Sequence, residues 1–118
     1  MKQLPDPVDH ECLPCYLYRV GADNPCYGDL RALKNYRDIS APRATALEKK
    51  IVLLGGYCDC EVLLNAFRPI TREAAVAVDQ EKELVCKGTR RGSIQPCEQW
   101  AMRRGVQWGG GRFRTRSA

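Results

Sequence analysis

Apolar residues recur at helical spacing in several short stretches of the chain. The pattern is clearest in a helix that Pro42 opens and the pair Gly55-Gly56 closes. Three- and four-residue steps place one apolar face of this helix on Ala44, Leu47, Ile51 and Leu54. We therefore predict a well-defined amphipathic helix ahead of the Gly-Gly stop.

Shorter helices are predicted on both sides of this one. One is predicted over residues 13–20, with Pro14 in its first turn and Gly21 as its stop. A second short amphipathic helix is predicted over residues 29–37. Residues 62–67 are apolar on too many sides to be exposed, so a buried helix or a short strand is expected there. Residues 71–84 favour a helix capped by Thr71, although Val76 and Val78 also alternate as in a strand.

The pattern weakens towards the C-terminus, where glycine and proline interrupt every period from Gly88 onwards. We therefore predict a mainly α fold, with short helices in one zinc-stabilised domain and an irregular basic C-terminal region. Its limits are expected at residues 11–108, between a flexible leader over 1–10 and a basic flexible tail over 109–118.

Length and composition favour a soluble protein. A chain of 118 residues with 44% hydrophobic residues fits one domain, and no apolar run approaches the roughly 18 residues of a membrane span. The first residues do not resemble a secretory signal. The reducing cytoplasm is therefore the expected location, with no membrane partner and no evident small-molecule substrate.

Seven cysteines need an explanation in a reducing compartment, where disulfides are rare. Cys12 and Cys15 form a Cys-x-x-Cys unit, and Cys58 and Cys60 form a second close pair. Two pairs of soft ligands are what a closed four-thiolate zinc site requires. The sequence therefore predicts a structural zinc site at Cys12, Cys15, Cys58 and Cys60.

The fourth ligand is open to substitution. Cys26 or the single histidine, His10, could replace any one of the four, and Cys86 and Cys97 could help to build a second metal site. A redox role for the Cys-x-x-Cys pair is a further alternative, but no strand is predicted before Cys12.

The run from Gly55 to Asn65, Gly-Gly-Tyr-Cys-Asp-Cys-Glu-Val-Leu-Leu-Asn, resembles the signature of a family of small bacterial proteins known only as a domain of unknown function. Residues 12–16 and 41–48 resemble its actinobacterial-type branch, and the resemblance covers residues 11–67. Many members carry a histidine at the place of Gly28, so the resemblance implies one ligand fewer here. No activity is implied.

A second, fainter likeness involves residues 97–101 and 105–110, which are similar to the end of the WhiB-like iron–sulfur regulators. Those proteins bind their cluster through four cysteines that include a Cys-x-x-Cys unit. The likeness makes an iron–sulfur cluster the alternative cofactor.

Positive charge is concentrated near the C-terminus, because residues 82–118 carry nine Lys/Arg and two Asp/Glu. Arginine pairs with phosphate and aromatic rings stack on unpaired bases, so RNA or single-stranded DNA is a candidate partner, as is a ribosomal or polymerase surface. A solvated tail and an acidic protein partner are the alternatives. The candidate contact residues are Arg90, Arg91, Arg103, Arg104, Trp108, Arg112, Phe113, Arg114 and Arg116.

Catalysis is not expected. A four-thiolate site has no open coordination position, and the side chains of Asp59 and Glu61 beside it suit capping as well as chemistry. We therefore expect a non-catalytic zinc-binding interaction module. The alternative is a thiol or metal sensor, or an iron–sulfur regulator, that switches a protein partner.

Overall fold

Five helices and a two-stranded antiparallel sheet are present in the computed structural model, which describes residues 4–24, 26, 28–90 and 92–103. The helices are α1 (Leu13–Asp23), α2 (Arg31–Ser40), α3 (Leu47–Leu53), α4 (Asp59–Glu61), which continues as a π-helical turn (Val62–Ala66), and α5 (Arg72–Gln80). Strand β1 (Phe67–Pro69) pairs with β2 (Trp100–Met102) in a register that places Phe67 opposite Met102.

The core lies where α1 and α2 meet the π-helical turn and the sheet. The rings of Tyr16 and Tyr36 pack 5.6 Å apart in a tilted arrangement, and the hydroxyl of Tyr36 donates a hydrogen bond to the carbonyl of Glu11. The largest aromatic and aliphatic side chains that are almost completely buried in this core are Tyr16, Tyr36, Phe67, Leu13, Leu33, Leu47, Ile51 and Val62. Aromatic and aliphatic burial of this kind supplies most of the folding free energy of a small domain.

Helix α3 is shorter than its apolar periodicity predicted, because residues 41–46 form tight turns before it. The amide of Ala44 bonds the carbonyl of Ala41, and the amide of Leu47 bonds that of Ala44, so helical bonding starts only at Leu47. The predicted Gly-Gly stop is confirmed. Gly55 has a φ of +96°, and the amides of Gly55 and Gly56 bond the carbonyls of Val52 and Ile51, which is the Schellman arrangement.

The other helices differ from prediction mainly at their ends. Helix α1 continues through Gly21 to Asp23, and α2 begins at Arg31 rather than residue 29. Thr71 caps α5 as predicted, since its hydroxyl accepts the amide of Ala74 at 3.1 Å. The helix ends at Gln80 rather than residue 84, because Glu81 takes up the left-handed conformation at φ +55°. Sequence reasoning missed this end, since glycine usually occupies that position.

The sequence predicted a helix or a short strand for the apolar run over residues 62–67, and the structure has both. Val62–Ala66 form a π-helical turn, and β1 begins at Phe67. Strand β2 was not predicted, because the region after Gly88 appeared irregular throughout. It is fixed at both ends: the amide of Ile70 donates to the carbonyl of Gln99 at 2.8 Å, and the amide of Arg103 donates to the carbonyl of Ala66 at 2.7 Å.

Residues 4–10, which were expected to be a flexible leader, are attached to the domain in the part that is described. The carbonyl of Pro5 accepts the hydroxyl of Tyr16 at 2.7 Å, and the carbonyl of Asp6 accepts the Arg19 guanidinium at 3.0 Å. Residues 1–3 and the predicted tail over 109–118 lie outside the described residues. Among the described helices, none combines the length and apolar character needed to cross a membrane.

Gly56 is buried where α3 meets the π-helical turn. A substitution there tests how tightly this junction is packed. A Cβ at Gly56 would lie 2.7 Å from Cγ2 of Ile51 and 3.1 Å from Cγ2 of Val62. We expect Gly56→Ala to lower the free energy of unfolding by about 1–3 kcal/mol, measured by urea denaturation, because overpacking forces neighbours to move.

Gly21→Ala is the matched control, because nothing lies within 4 Å of a Cβ placed there in α1. It should leave stability unchanged or raise it by up to about 1 kcal/mol, since alanine is the better helix former. Equal losses in both variants would contradict the packing assignment.

Candidate metal centre

Four thiols converge in the interior of the domain. The sulfur atoms of Cys12, Cys15, Cys86 and Cys97 all lie within 4.8 Å of one another, and those of Cys15 and Cys97 are 3.8 Å apart. A tetrahedral ion with metal–sulfur bonds of about 2.3 Å places its sulfur ligands about 3.8 Å apart. These four residues, called here the buried thiol group, could therefore hold a single metal ion.

The start of α1 positions two of these thiols. Cys12 is the N-cap residue, with extended φ and ψ of −81° and 161°, and its carbonyl accepts the amide of Tyr16 at 3.0 Å. Cys15 follows in the first turn, and Pro14 between them fits the helix start because it lacks an amide hydrogen. The partial positive charge of a helix N-terminus stabilises thiolates in this position.

Cys86 comes from the extended chain after α5. Its sulfur accepts two backbone amides at 3.3 Å, those of Cys12 and Gly88. Gly88 has a φ of +93°, which turns its amide back towards the sulfur two residues earlier. The amide of Thr89 also donates to the carbonyl of His10 at 2.8 Å, and this bond holds the segment beside the start of α1.

Cys97 completes the group just before β2. The amide of Trp100 donates to the carbonyl of Cys97 at 3.1 Å, and the Cys97 sulfur lies 3.6 Å from Oε1 of Gln99. Exposure of the side chains is 0% for Cys12, 2% for Cys15 and 3% for Cys97. The group is therefore closed on most sides, with Cys86 as its most accessible member.

The electrostatics of the buried thiol group favour one thiolate at Cys86. Hydrogen bonds from the thiols of Cys12 and Cys15, helped by the two backbone amides, hold the pKa of Cys86 far below its usual range. The thiol of Cys12 and then that of Cys86 raise the pKa of Cys15, and burial adds to this effect. Ionisation of all four would require a strong positive charge among them, which a divalent ion supplies.

The other three cysteines lie nearer the surface, outside the buried thiol group, and are called here the exposed thiol group: Cys26, Cys58 and Cys60. Burial acts against the ionisation of Cys26, but neighbouring backbone amides and the thiols of Cys60 and Cys58 lower its pKa. Burial and then the neighbouring Cys26 raise the pKa of Cys60 to about 11.

Asp59 holds the two chain segments of the exposed thiol group together. Its carboxylate oxygens accept the amides of Ala32 and Leu33 at 2.8 and 3.1 Å, and these amides belong to the first turn of α2. Its own amide donates to the carbonyl of Asp29 at 2.9 Å. The carboxylate therefore caps a helix from a distant part of the sequence, and the capping role considered for this residue is the one it takes.

The structure groups the thiols differently from the sequence prediction. The structure brings Cys12 and Cys15 together as predicted, but the thiols beside them are Cys86 and Cys97, which were considered as contributors to a second metal site. Cys58 and Cys60 are not members of the buried thiol group and lie nearer the surface. His10 is not a member either, since its Nδ1 lies 3.1 Å from the carbonyl of Thr89.

Sequence reasoning missed Cys86 and Cys97 as partners because they are not adjacent in the chain. One local signal was available. A glycine two residues after a cysteine can turn its amide towards the sulfur, as Gly88 does for Cys86.

The residues expected to contact nucleic acid fall largely outside the described part of the chain. Of these, Arg90 and Arg103 are described, and both are exposed. The others lie beyond the described residues: Arg91, Arg104, Trp108, Arg112, Phe113, Arg114 and Arg116.

Comparison with known proteins gives a match to a family model. Residues 13–65 fit the model of a family described as "Protein of unknown function (DUF2695)", which supports the predicted similarity to a small domain of unknown function. No curated protein and no solved structure matches the chain significantly. The matched stretch contains the whole exposed thiol group but only Cys15 of the buried one.

Gly88 gives a test of the buried thiol group. Gly88→Ala keeps enough space for a Cβ, whose nearest neighbour would be the His10 carbonyl at 4.0 Å, but places a side chain at φ +93°. We expect a loss of about 1–2 kcal/mol in the free energy of unfolding from the left-handed backbone. Affinity for an added divalent ion should fall by roughly tenfold or more, because the amide that orients the Cys86 sulfur moves.

Gly92→Ala is the matched control, since it has a φ of +81° and nothing within 4 Å of the added Cβ. It should show a similar loss of stability in urea denaturation without a change in metal affinity. A similar fall in affinity in both variants would mean that the Gly88 amide does not support the site.

Proposed function

We propose that this protein is a non-catalytic zinc-binding interaction module whose ion is held by the buried thiol group. The observation that carries the proposal is the convergence of four largely buried sulfurs at separations suited to one tetrahedral ion. Four thiolates occupy all the coordination positions of such an ion, so none is left for a substrate. A closed site of this kind stabilises structure rather than performing catalysis.

Zinc fits this donor set better than an iron–sulfur cluster. A set of four sulfurs is compatible with either in chemical terms. A cluster of several metal atoms must fit between its ligands and keeps their sulfurs farther apart than a single ion does. The separation of 3.8 Å between the sulfurs of Cys15 and Cys97 favours a single ion.

The zinc would stabilise a region that has little regular structure of its own. Among the described residues between α5 and β2, none belongs to a helix or a strand, yet this segment contributes Cys86 and Cys97. Zinc bound to thiolates contributes on the order of 10 kcal/mol or more, comparable with the whole stability of a small domain. Loss of the ion should therefore unfold much of the protein.

For the partner, we propose RNA or single-stranded DNA, bound through the C-terminal basic residues. The described residues carry thirteen Lys/Arg and fourteen Asp/Glu, so the net charge of +5 comes from residues outside them. Four of these are Arg104, Arg112, Arg114 and Arg116, which follow directly after β2. Pairing of β2 with β1 fixes the point from which this basic segment starts.

The alternative of a sensor that releases its ion when Cys12 and Cys15 are oxidised is disfavoured by their burial. Oxidants attack accessible thiolates, and the side chains of Cys12 and Cys15 are 0% and 2% exposed. An oxidant would need local unfolding to reach them.

Substitution of one thiol tests the structural zinc site. We expect Cys15→Ser to lose the ion of the buried thiol group and the cooperative unfolding transition, because an incomplete site binds zinc far more weakly. Metal analysis and circular dichroism on protein purified without air would measure both. A brown protein with visible absorption would overturn zinc in favour of a cluster.

Cys60→Ser is the matched control, since it makes the same chemical change outside the buried thiol group. It should retain the folded spectrum and the ion of the buried group. A folded Cys15→Ser variant with unchanged metal content would contradict the assignment.

Removal of residues 104–118 tests the nucleic-acid interface. Full-length protein should bind single-stranded RNA with an affinity that falls about fifty-fold between about 50 and 200 mM salt if all four arginines pair with phosphates. The truncated protein should lose this salt-dependent binding, measured by fluorescence anisotropy.

A full-length variant with lysine at positions 104, 112, 114 and 116 is the matched control, since it preserves the charge. It should retain most of the salt dependence. Equal binding by the truncated and full-length proteins would remove this segment as the interface.

A further inference from the structure

The side chain of Gln99 lies in the interior beside the buried thiol group. It is 1% exposed, and the thiol of Cys97 donates a hydrogen bond to its Oε1 at 3.6 Å. Its Nε2 is buried without a hydrogen-bond partner among the described residues. Burial of an amide nitrogen that donates to nothing is unfavourable, so this polar side chain calls for a physical explanation.

Two backbone hydrogen bonds fix the position of Gln99. The amide of Trp100 donates to the carbonyl of Cys97 at 3.1 Å and closes a turn that contains Gln99, which keeps this residue close to Cys97. The amide of Ile70 donates to the carbonyl of Gln99 at 2.8 Å. The turn is thereby joined to the residue that follows β1, and the side chain of Gln99 is held at the thiol group by the fold.

The sulfurs of Cys86 and Cys97 differ in their hydrogen-bonding neighbours. Two backbone amides, those of Cys12 and Gly88, donate to the Cys86 sulfur. In the described part of the chain, the Cys97 sulfur instead faces the sulfur of Cys15 at 3.8 Å and the side-chain amide of Gln99. Thiols lose their protons when they bind a metal ion, so Gln99 becomes the available donor to Cys97 in the metal-bound state.

A change of amide orientation allows Gln99 to act as this donor. A metal-bound thiolate has no proton to donate to Oε1, and its negative charge repels that oxygen. A half-turn of the terminal amide exchanges Oε1 and Nε2 without moving the rest of the side chain, and it places Nε2 close to the position 3.6 Å from the sulfur. The unpaired donor then has a partner, and the oxygen takes the former place of Nε2. Interiors tolerate an unpaired carbonyl oxygen more often than an unpaired N–H group.

We propose that Gln99 is a positioning residue for the metal, whose Nε2 donates an N–H···S hydrogen bond to the Cys97 thiolate when the buried thiol group holds zinc. The proposal rests on the proposed zinc site and adds a residue that orients one of its ligands. The thiol proton leaves to solvent as the ion binds, and no oxidation state changes. Donors of this kind spread the negative charge of the thiolates and fix the direction of the sulfur.

Nuclear magnetic resonance of the wild type tests this bond directly. Full-length protein labelled with ¹⁵N and loaded anaerobically with ¹¹³Cd²⁺ should show a scalar coupling between the cadmium nucleus and one side-chain amide proton, because an N–H···S bond to a metal-bound sulfur transmits such a coupling. The signal should be absent in Gln99→Met, which assigns it to this residue.

Gln99→Met also tests the effect on the ion, since methionine has a similar length and no N–H group. We expect zinc affinity, measured by competition with a chelator, to fall roughly ten- to a hundredfold. The sulfur-to-cobalt charge-transfer band of the Co²⁺ form should move to longer wavelength, because a thiolate without this donor releases electron density more easily. A residue that only fills space in the core would leave the band unchanged.

Gln95→Met is the matched control, because Gln95 is exposed and lies on the other side of Cys97 in the sequence. It should match the wild type in zinc affinity, in the charge-transfer band and in the cadmium coupling. An equal loss of affinity in both variants would mean that the effect does not come from the amide at Gln99.

The outcomes separate this proposal from the zinc site on which it rests. Absence of a coupling to Gln99 in the cadmium-loaded wild type would overturn the positioning role, even if Gln99→Met fails to fold. Unchanged affinity and an unchanged band in folded Gln99→Met would also overturn it, whereas the zinc site would stand because the ion is still bound. A wild type that binds neither Zn²⁺ nor Cd²⁺ would overturn the zinc site, and the role of Gln99 with it.

Discussion

The convergence of Cys12, Cys15, Cys86 and Cys97 is the contact on which the rest of the structure depends. It connects the start of α1 with a segment that lacks regular secondary structure in its described residues. Without this link, a few hydrogen bonds and the packing of Leu84 and Ile94 against the core would hold the segment. One of these bonds joins the hydroxyl of Tyr18 to the carbonyl of Lys82 at 2.6 Å. A small domain has a limited core, so a metal link can supply what additional strands or helices would provide in a larger one.

The seven cysteines lie in two contrasting environments. Burial around Cys12, Cys15 and Cys97 excludes water and suits an ion that stays in place. Cys26 and Cys60 are instead exposed to solvent. The matched family region, residues 13–65, contains all of the exposed group, whereas three members of the buried group lie outside it.

Charge is divided between the framework and the remainder of the chain. The described residues are close to neutral, and several of their charges are paired, as in the two hydrogen bonds from the Arg19 guanidinium to the carboxylate of Glu11 at 2.9 and 3.0 Å. The net positive charge therefore comes mostly from the residues after β2. This division suits the proposed function, in which nucleic acid binds the basic residues that follow the domain.

The sequence by itself determined those features whose causes are local. Gly55-Gly56 ended α3 and Thr71 began α5, because caps and Schellman turns depend on a few neighbouring residues. The abundance of cysteines indicated metal chemistry, and the Cys-x-x-Cys spacing identified Cys12 and Cys15 as one pair. Only the tertiary structure decided which thiols share a site, how α2 is capped by Asp59 and where β2 pairs. The physical reason is that ligation and strand pairing require atoms to be close in space, whereas spacing along the chain constrains only residues within a turn or two of one another.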